Sequence, residues 1–488
     1  MLLVAVFISV LASPTDASAF VHAFGSASFP HPHRPPSSPS PPTRTLLSPQ
    51  PNIVALAASG TSSGDEGSIL GASLLFAGTA VGAGMLALPA ETFDAGFLPS
   101  LGSLSLCWLF TYVTSMYTLE ASWLAKELSS TANHGGDAEI GGGGFLSISR
   151  MALGVSGEVV TGCLFWFLLT SIVVAYTAEG GILVSQFVEE VATVSYSVPP
   201  AFGSVIFAAF FGFLASYGTS RVDFINRVFV FGLVTTFVGL VGYGLPRIDA
   251  HNLISHADWT AIYPAGISIG ILSFGAQNVV PTLLTYLGGN PDRTRRAILF
   301  GSLAPLVLYT IWEAVFLGIV SPEAAAAGGV SKMQVVSVLG QAGGTLARDL
   351  VGAFSACAIG SSMAGASVSL VDFFEDLVAG KEKDDGAAAD SGDARLLAAA
   401  LALGPPVIVS YVFPDLFLTA LEEAGLLGGV SLYGILPALS ILRLRGSSAH
   451  LRMPGRLRGG EPALYALFLI SSGLVLPEII RLVASVTR

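Results

Sequence analysis

The chain has 488 residues, of which 52% are hydrophobic and 11% charged; the mean hydropathy is +0.71 and the net charge −11. A soluble domain carries about 25% charged residues, so this composition cannot cover a water-soluble particle of this size, and repeated apolar stretches of about 20 residues suit a bilayer. A pI near 5.1 argues against nucleic acid as a partner.

Residue placement excludes more. Cys107, Cys163 and Cys357 lie in apolar stretches and read as packing residues. The seven histidines fall in the N-terminal tail or in loops, leaving no intramembrane pair for haem or a catalytic metal. The four lysines also read as loop residues, so none can carry a Schiff base within the membrane. The expectation is a protein that is not an enzyme, with no cofactor and no metal.

Residues 1–12 form an apolar h-region too short to span a bilayer, followed by Ala17-Ser18-Ala19 and Phe20. From Phe20 to Gly64 there is no Asp or Glu, while Ser and Pro abound and Arg34 and Arg44 are the basic residues. This pairing resembles the bipartite plastid-targeting presequence of algae with secondary plastids, in which a signal peptide ends at Ala-Ser-Ala-Phe and a transit peptide follows. The resemblance implies a signal peptide over 1–19, a disordered transit segment over 20–65, a transmembrane domain over 66–488 and a plastid envelope location. An ordinary leader, with a plasma or endomembrane location, is the alternative.

Hydropathy predicts eleven spans, at 67–92, 97–122, 157–187, 201–217, 223–245, 260–287, 296–320, 349–378, 395–413, 415–442 and 461–483. Loops after the even-numbered spans, together with the span ends that flank them, hold fifteen Lys and Arg residues, against five on the other side. The positive-inside rule therefore puts the start of span 1 on the cytosol-like or stromal face. Gly141 to Gly144 read as a linker rather than a phosphate cradle, since no strand precedes them. The acidic run at Asp384-Asp385 reads as a solvated loop.

Span 1 contains Gly78, Gly82 and Gly84 ahead of Pro89, and span 6 contains Ser273-Phe274-Gly275-Ala276-Gln277-Asn278 ahead of Pro281. Glycine weakens a helix interior by about 1 kcal/mol relative to Ala. The two interruptions lie five spans apart, so they sit at the same place in two halves of opposite orientation. That is the sequence pointer to a midplane binding site. Unwound backbone in hydrocarbon needs partners, and a zwitterion offers both kinds: a carboxylate for freed N–H groups and an ammonium for freed carbonyls. Close helix packing at Gly78-x-x-x-Gly82 is the competing explanation.

The run Ala77-Gly78-Thr79-Ala80-Val81-Gly82-Ala83-Gly84-Met85-Leu86-Ala87-Leu88-Pro89 resembles the first-helix signature of the tryptophan/tyrosine permease family. Ser273-Phe274-Gly275, Asn278-Val279-Val280-Pro281 and Tyr286-Leu287-Gly288-Gly289-Asn290-Pro291 are similar to its sixth-helix signature and following loop. The run from Ala297 through Tyr309 to Trp312, Asp223 with Asn226-Arg227, and Asp372-Phe373-Phe374 extend the likeness over about residues 67–480. The resemblance implies an all-α polytopic membrane protein of leucine-transporter type, a five-plus-five inverted repeat with an eleventh helix and with helices 1 and 6 broken. It also implies proton symport of tyrosine or tryptophan, with the amino acid as small-molecule partner and lipid around it. The oligomeric state stays open.

Carried over residue by residue, the backbone at Gly78, Thr79, Gly82 and Gly84 would hold the substrate carboxylate. Ser273, Phe274 and Gly275 would hold the ammonium, with Phe274 as a gate. Tyr176 on span 3 and Ser361 and Ser362 on span 8 would line the cavity. Glu179 stands where the family pattern is small or neutral, which leaves the particular substrate open. Intramembrane carboxylates are usually functional; the proton-coupling candidates are Glu179 and Glu313, with Glu91 and Asp372 nearer span ends. Sodium coupling through Ser361 or Ser362, a non-transporting sensor on the same fold, and a transporter of other neutral amino acids are the alternatives.

Overall fold

A computed structural model describes residues 67–132, 144–192, 198–216, 219–320, 344–385, 391–447 and 451–486. The signal and transit segments lie outside the described residues, as do Gly141 to Gly143. Among the described residues the regular structure is helical, and nine helices are long and apolar enough to cross a membrane. A bent pair, Ile69–Ala80 with Gly84–Thr92, and the 17-residue helix Pro200–Ser216 bring the spans to eleven. The protein is integral to a membrane.

Span 1 is the bent pair, whose halves meet at 54°; its inner half (Ile69–Ala80) lies toward the positive face and its outer half (Gly84–Thr92) away from it. Span 6 likewise has an outer half (Ala265–Ser273) and an inner half (Val280–Tyr286), separated by irregular backbone and a 3-10 turn at Gln277–Val279. The others are span 2 (Phe97–Ala132), span 3 (Phe145–Ala192), span 4 (Pro200–Ser216), span 5 (Thr219–Gly244), span 7 (Pro291–Ile319), span 8 (Gly344–Asp385), span 9 (Ser391–Val412), span 10 (Phe417–Ser447) and span 11 (Gly460–Val486).

Two sets of contacts fix the inverted arrangement. At the positive end, Gly67 N–H donates to the Tyr286 carbonyl (3.1 Å) and Arg293 to the Gly67 carbonyl (2.6 Å). So the start of span 1 sits beside the end of span 6. At the other end, Asp258 N–H donates to the Ala95 carbonyl (2.9 Å) and His256 Nε2 lies 2.6 Å from the Asp94 carbonyl. So the loop entering span 6 sits on the end of span 1. Thr260 donates to Asp258 through its hydroxyl and its N–H, which holds that carboxyl below the ordinary carboxylate range. Gly288 and Gly289 (φ 71° and 78°) make the left-handed turn from span 6 to span 7, and Asn290 then caps span 7 by accepting from the Asp292 and Arg293 N–H groups.

Helix propensity carries several spans past their apolar limits. Span 2 runs ten residues beyond 122, through Ala, Leu, Lys and Glu, so Lys126 is helical rather than in a loop. Span 3 starts at Phe145 instead of 157 and is interrupted at Gly154 (φ 75°). Arg150, expected in a loop, precedes that kink and pairs with Glu158 across it at 3.0 Å. Span 8 continues to Asp385, so the acidic run ends a helix instead of forming a loop. Hydropathy also gives no sign of the wide π-type turns at Ala424–Ile435 in span 10. Their glycines permit close packing: a Cβ on Gly425 would strike the Ser268 carbonyl, and one on Gly428 would stand 3.1 Å from Leu168.

Glu120 on span 2 and Arg445 on span 10 form a two-pronged ion pair at 2.8 and 2.7 Å, with side chains only 3% and 12% exposed. Removing one partner of a buried pair strands the other charge, at a cost of about 3–5 kcal/mol. Glu120→Ala should therefore lower the thermal unfolding midpoint of the purified protein clearly, and an unmoved midpoint would show that the pair contributes nothing.

Candidate functional site

Both helix breaks are held open by side chains. Val81 leaves the inner half of span 1 in an extended conformation (φ −76°, ψ 113°), and the helix restarts at Gly84. In span 6 the helix stops at Ser273 and regular α-helix resumes at Val280. The hydroxyl of Tyr309 on span 7 lies 2.8 Å from the Ala80 carbonyl and 3.0 Å from the Ser273 carbonyl. These are the last residues of two helical halves, so two negative helix ends converge on one phenol. A single O–H can only be shared between them, and such a convergence suits a cation.

The opposite polarity lies a turn away. Ala83 N–H, at the start of the outer half of span 1, donates to Ser362 Oγ on span 8 (2.8 Å), and the buried phenol of Tyr176 on span 3 hydrogen-bonds Ser362. Spans 1, 3 and 8 thus meet at one serine. Gly82 and Gly84 permit this approach: a Cβ on Gly82 would stand 2.5 Å from Ser362 Oγ, and one on Gly84 would stand 2.5 Å from Ser273 Oγ. The Ser273 hydroxyl is buried without a hydrogen-bond partner, which leaves it available to a ligand. Phe274 packs on the Tyr309 ring with centroids 5.1 Å apart, and Gly275 faces Tyr433 of span 10 at 3.2 Å from an added Cβ.

The structure therefore brings Gly82, Gly84, Tyr176, Ser273, Phe274, Gly275 and Ser362 together around the breaks. The remaining three residues sit differently. Thr79 Oγ1 donates to Leu75 of its own helix (2.9 Å), and Ser361 Oγ to Ala358 of its own (3.0 Å). Gly78 is exposed, with nothing within 4 Å of an added Cβ.

The four carboxylates occupy different environments. Glu313 on span 7 is wholly buried; Oε2 lies 3.0 Å from Thr92 Oγ1, and Oε1 has no partner. Glu91 is buried beside Thr92 in the outer half of span 1. Glu179 is half-buried on span 3, three residues beyond Tyr176. Asp372 pairs with Arg395 at 3.0 Å; that guanidinium also pairs with Glu375 and donates to the Ala215 carbonyl (3.0 Å). This ties Asp372 into an ion cluster joining spans 4, 8 and 9, away from the breaks.

Sequence reasoning missed the side chains that organise the site. Tyr309 binds both broken ends, and Trp312 Nε1 donates to the Met85 carbonyl (2.9 Å) in the outer half of span 1. The signal was present: Tyr309, Trp312 and Glu313 at i, i+3 and i+4 form one face of a helix. A stripe of large polar-tipped residues inside an apolar span marks backbone to be satisfied nearby.

The model of the tryptophan/tyrosine permease family matches residues 65–477. A tryptophan-specific transport protein of Shigella flexneri is 31% identical over 422 residues, covering 84% of this chain and 94% of that protein. Tyrosine-specific transport system 1 of Haemophilus influenzae is 27% identical over 415 residues, covering 82% of this chain and 94% of its own length. Among solved structures, MhsT crystallised with L-phenylalanine is similar with a TM-score of 0.54 at 16% identity, covering 84% of this chain and 97% of that one. That likeness gives the leucine-transporter-type fold, with the five-plus-five repeat expected from the spacing of the two breaks. The match over most of its length makes this chain a member of the tryptophan/tyrosine permease family.

Proposed function

We propose that this chain is a secondary transporter of tryptophan or tyrosine that works by alternating access in symport with a proton. The observation that carries the reading is the convergence of the Ala80 and Ser273 carbonyls on Tyr309, beside the Ala83 N–H and the unpartnered Ser273 hydroxyl. Negative helix ends suit an ammonium, and N–H groups at a helix start suit a carboxylate. The α-amino acid backbone carries both. Phe274, Tyr176 and Tyr433 supply aromatic surface for a ring, and Gly82, Gly84 and Ser362 keep the space beside it small-sided. The tryptophan- and tyrosine-specific relatives support the same substrate class.

Transport by alternating access asks that the two halves of each broken helix move separately. The irregular residues provide the hinges, and Ser362 and Tyr309 hold the ends. The family match begins at residue 65, directly after the acid-free segment that follows Ala17-Ser18-Ala19-Phe20. That boundary supports an N-terminal presequence; the resemblance of Ala17-Ser18-Ala19-Phe20 to plastid-targeting leaders is what favours a plastid envelope location, with the positive face toward the stroma.

The purified full chain in proteoliposomes should accumulate radiolabelled tryptophan or tyrosine when the outside is acid, and lose that accumulation when the gradient is collapsed. Uptake of small neutral amino acids alone would reassign the substrate, and binding without flux would make the protein a sensor. Gly82→Leu should abolish substrate binding, because its side chain would occupy the space against Ser362; unchanged affinity would move the site elsewhere. Tyr309→Phe removes one hydroxyl from two helix-end carbonyls. A buried acceptor left unmatched costs about 1–3 kcal/mol, so transport should fall about tenfold or more while the protein stays folded in gel filtration.

A further inference from the structure

Span 7 hydrogen-bonds span 1 at three heights with one face. Tyr309 reaches the Ala80 carbonyl at the break, Trp312 reaches the Met85 carbonyl just beyond it, and Glu313 reaches Thr92 at the outer end. The first two contacts donate to backbone. The third joins two side chains, and its hydrogens can be counted.

Thr92 Oγ1 lies 2.9 Å from the Leu88 carbonyl and 3.0 Å from Glu313 Oε2. A hydroxyl has one hydrogen and two acceptor lone pairs. A carbonyl can only accept, so the hydroxyl that donates to Leu88 has only lone pairs left for Glu313. The pair is complete when Glu313 itself carries the hydrogen, on Oε2, and donates to Thr92. A carboxylate there would instead pull the Thr92 hydrogen away from Leu88 and leave Oε1 a bare anionic oxygen in a wholly buried place.

Among the described residues no cation hydrogen-bonds or ion-pairs with Glu313; His256, on the loop at the end of span 1, is exposed and lies on the Asp94 carbonyl. Glu91, one residue before Thr92, is of like sign. Arg247, at the end of span 5, donates to the Tyr243 carbonyl (2.6 Å) and stacks over the Tyr243 ring at 3.8 Å. Asp249 accepts from the His251 N–H as the cap of the connecting helix Ala250–Ser255, and His251 is exposed to solvent. An ionised carboxylate without a partner in low dielectric is strongly disfavoured, so such a group takes up a proton or draws in water.

We propose that Glu313 is the site at which the coupling proton binds, and that its neutral carboxyl latches the outer half of span 1 to span 7 through Thr92. The inference rests on the symport reading above and names the residue that performs it. On loading, a hydronium gives its proton to Oε2, an O–H bond forms, and water is left. On release, the proton passes to water on the opposite side. The charged carboxylate then favours hydration, which separation of the outer half of span 1 from span 7 at Thr92 supplies on the loading side and so readies the site for the next proton. Trp312 keeps its hold on Met85, so the movement pivots near the break rather than displacing the whole half-helix.

The test separates this inference from the transport reading. Full-length wild type and Glu313→Gln are reconstituted and assayed with radiolabelled tryptophan and tyrosine in two ways: exchange at equal pH on both sides, and accumulation driven by an acid-outside gradient. Exchange by the wild type tests transport itself. Glu313→Gln mimics the neutral acid, and should still exchange substrate while its gradient-driven accumulation falls to equilibration. Undiminished accumulation by Glu313→Gln would overturn the proposal, and so would loss of exchange in a protein that remains folded. If that variant does not fold, Thr92→Val decides. Deleting one hydrogen bond to a titrating acid should move the pH midpoint of uptake by about half a unit or more, and an unmoved midpoint would overturn the assignment.

Discussion

In hydrocarbon a polypeptide has no water to satisfy its main chain, and each unpaired group costs several kcal/mol. Most of this chain meets that requirement with continuous helix. Spans 1 and 6 do not, and much of the site's architecture answers the groups those breaks release. The Ala80 and Ser273 carbonyls find the Tyr309 hydroxyl, the Ala83 N–H finds Ser362, and the Met85 carbonyl finds Trp312. The partners come from two unbroken helices, spans 7 and 8. An intact rod is a better support than another loop, because its side chains keep fixed spacing when the broken helices shift. The buried Ser273 hydroxyl has no such answer within the protein, and that is where a ligand has something to complete.

The glycines and the large polar-tipped residues then have complementary tasks. Gly82 and Gly84 bring backbone within contact of Ser362 and Ser273, where any side chain would collide. Tyr309 and Trp312 cover the carbonyls that this thinning exposes, and both are wholly buried. Tight packing alone would explain the glycines. It would not explain a tyrosine placed between the ends of two helices, or a carboxyl with one oxygen unpartnered on the same face. The shared face of span 7 ties substrate binding and the buried acid into one element.

Much of this was legible in the sequence. Apolar runs locate helices, so the eleven spans and their order were readable, and the glycine pattern located both breaks. Charge asymmetry predicts sidedness, and the contacts of Gly67, Tyr286 and Arg293 place the start of span 1 beside the end of span 6. Hydropathy could not see where helices end beyond the apolar stretch. Propensity continues span 2 well past its hydrophobic limit, to Ala132, and the ion pair of Glu120 with Arg445 is made near that limit. Nor could it see partners of high sequence separation: Ser362 lies 279 residues from Ala83, and Tyr309 lies 229 from Ala80. Thr79 and Ser361 carry the same hydroxyl chemistry as Ser362, but each turns back onto its own helix. Which hydroxyl faces the site is a matter of helix rotation that residue type does not encode.

The two ends of the molecule are fastened by different chemistry, and the difference bears on how it can move. At the positive face Arg445, Arg395 and Arg295 make ion pairs, while Arg293 donates to the Gly67 carbonyl. At the other face Arg481 serves Glu423 and Glu478 together at 3.2 and 2.5 Å, and Glu423 keeps one carboxylate oxygen unpartnered. The halves of span 1 differ as well. Every residue from Met85 to Thr92 is buried, whereas Leu70, Leu74 and Gly78 form an exposed stripe on the inner half. The inner half carries no acidic residue for those ion pairs to hold; it is fastened by the Arg293 contact with Gly67 and by packing on span 7, where Gly301 meets Ser73 and Phe76. The outer half is held by packing against span 6 and by polar contacts with span 7. Of those contacts, the one at Thr92 is set by a hydrogen that can leave.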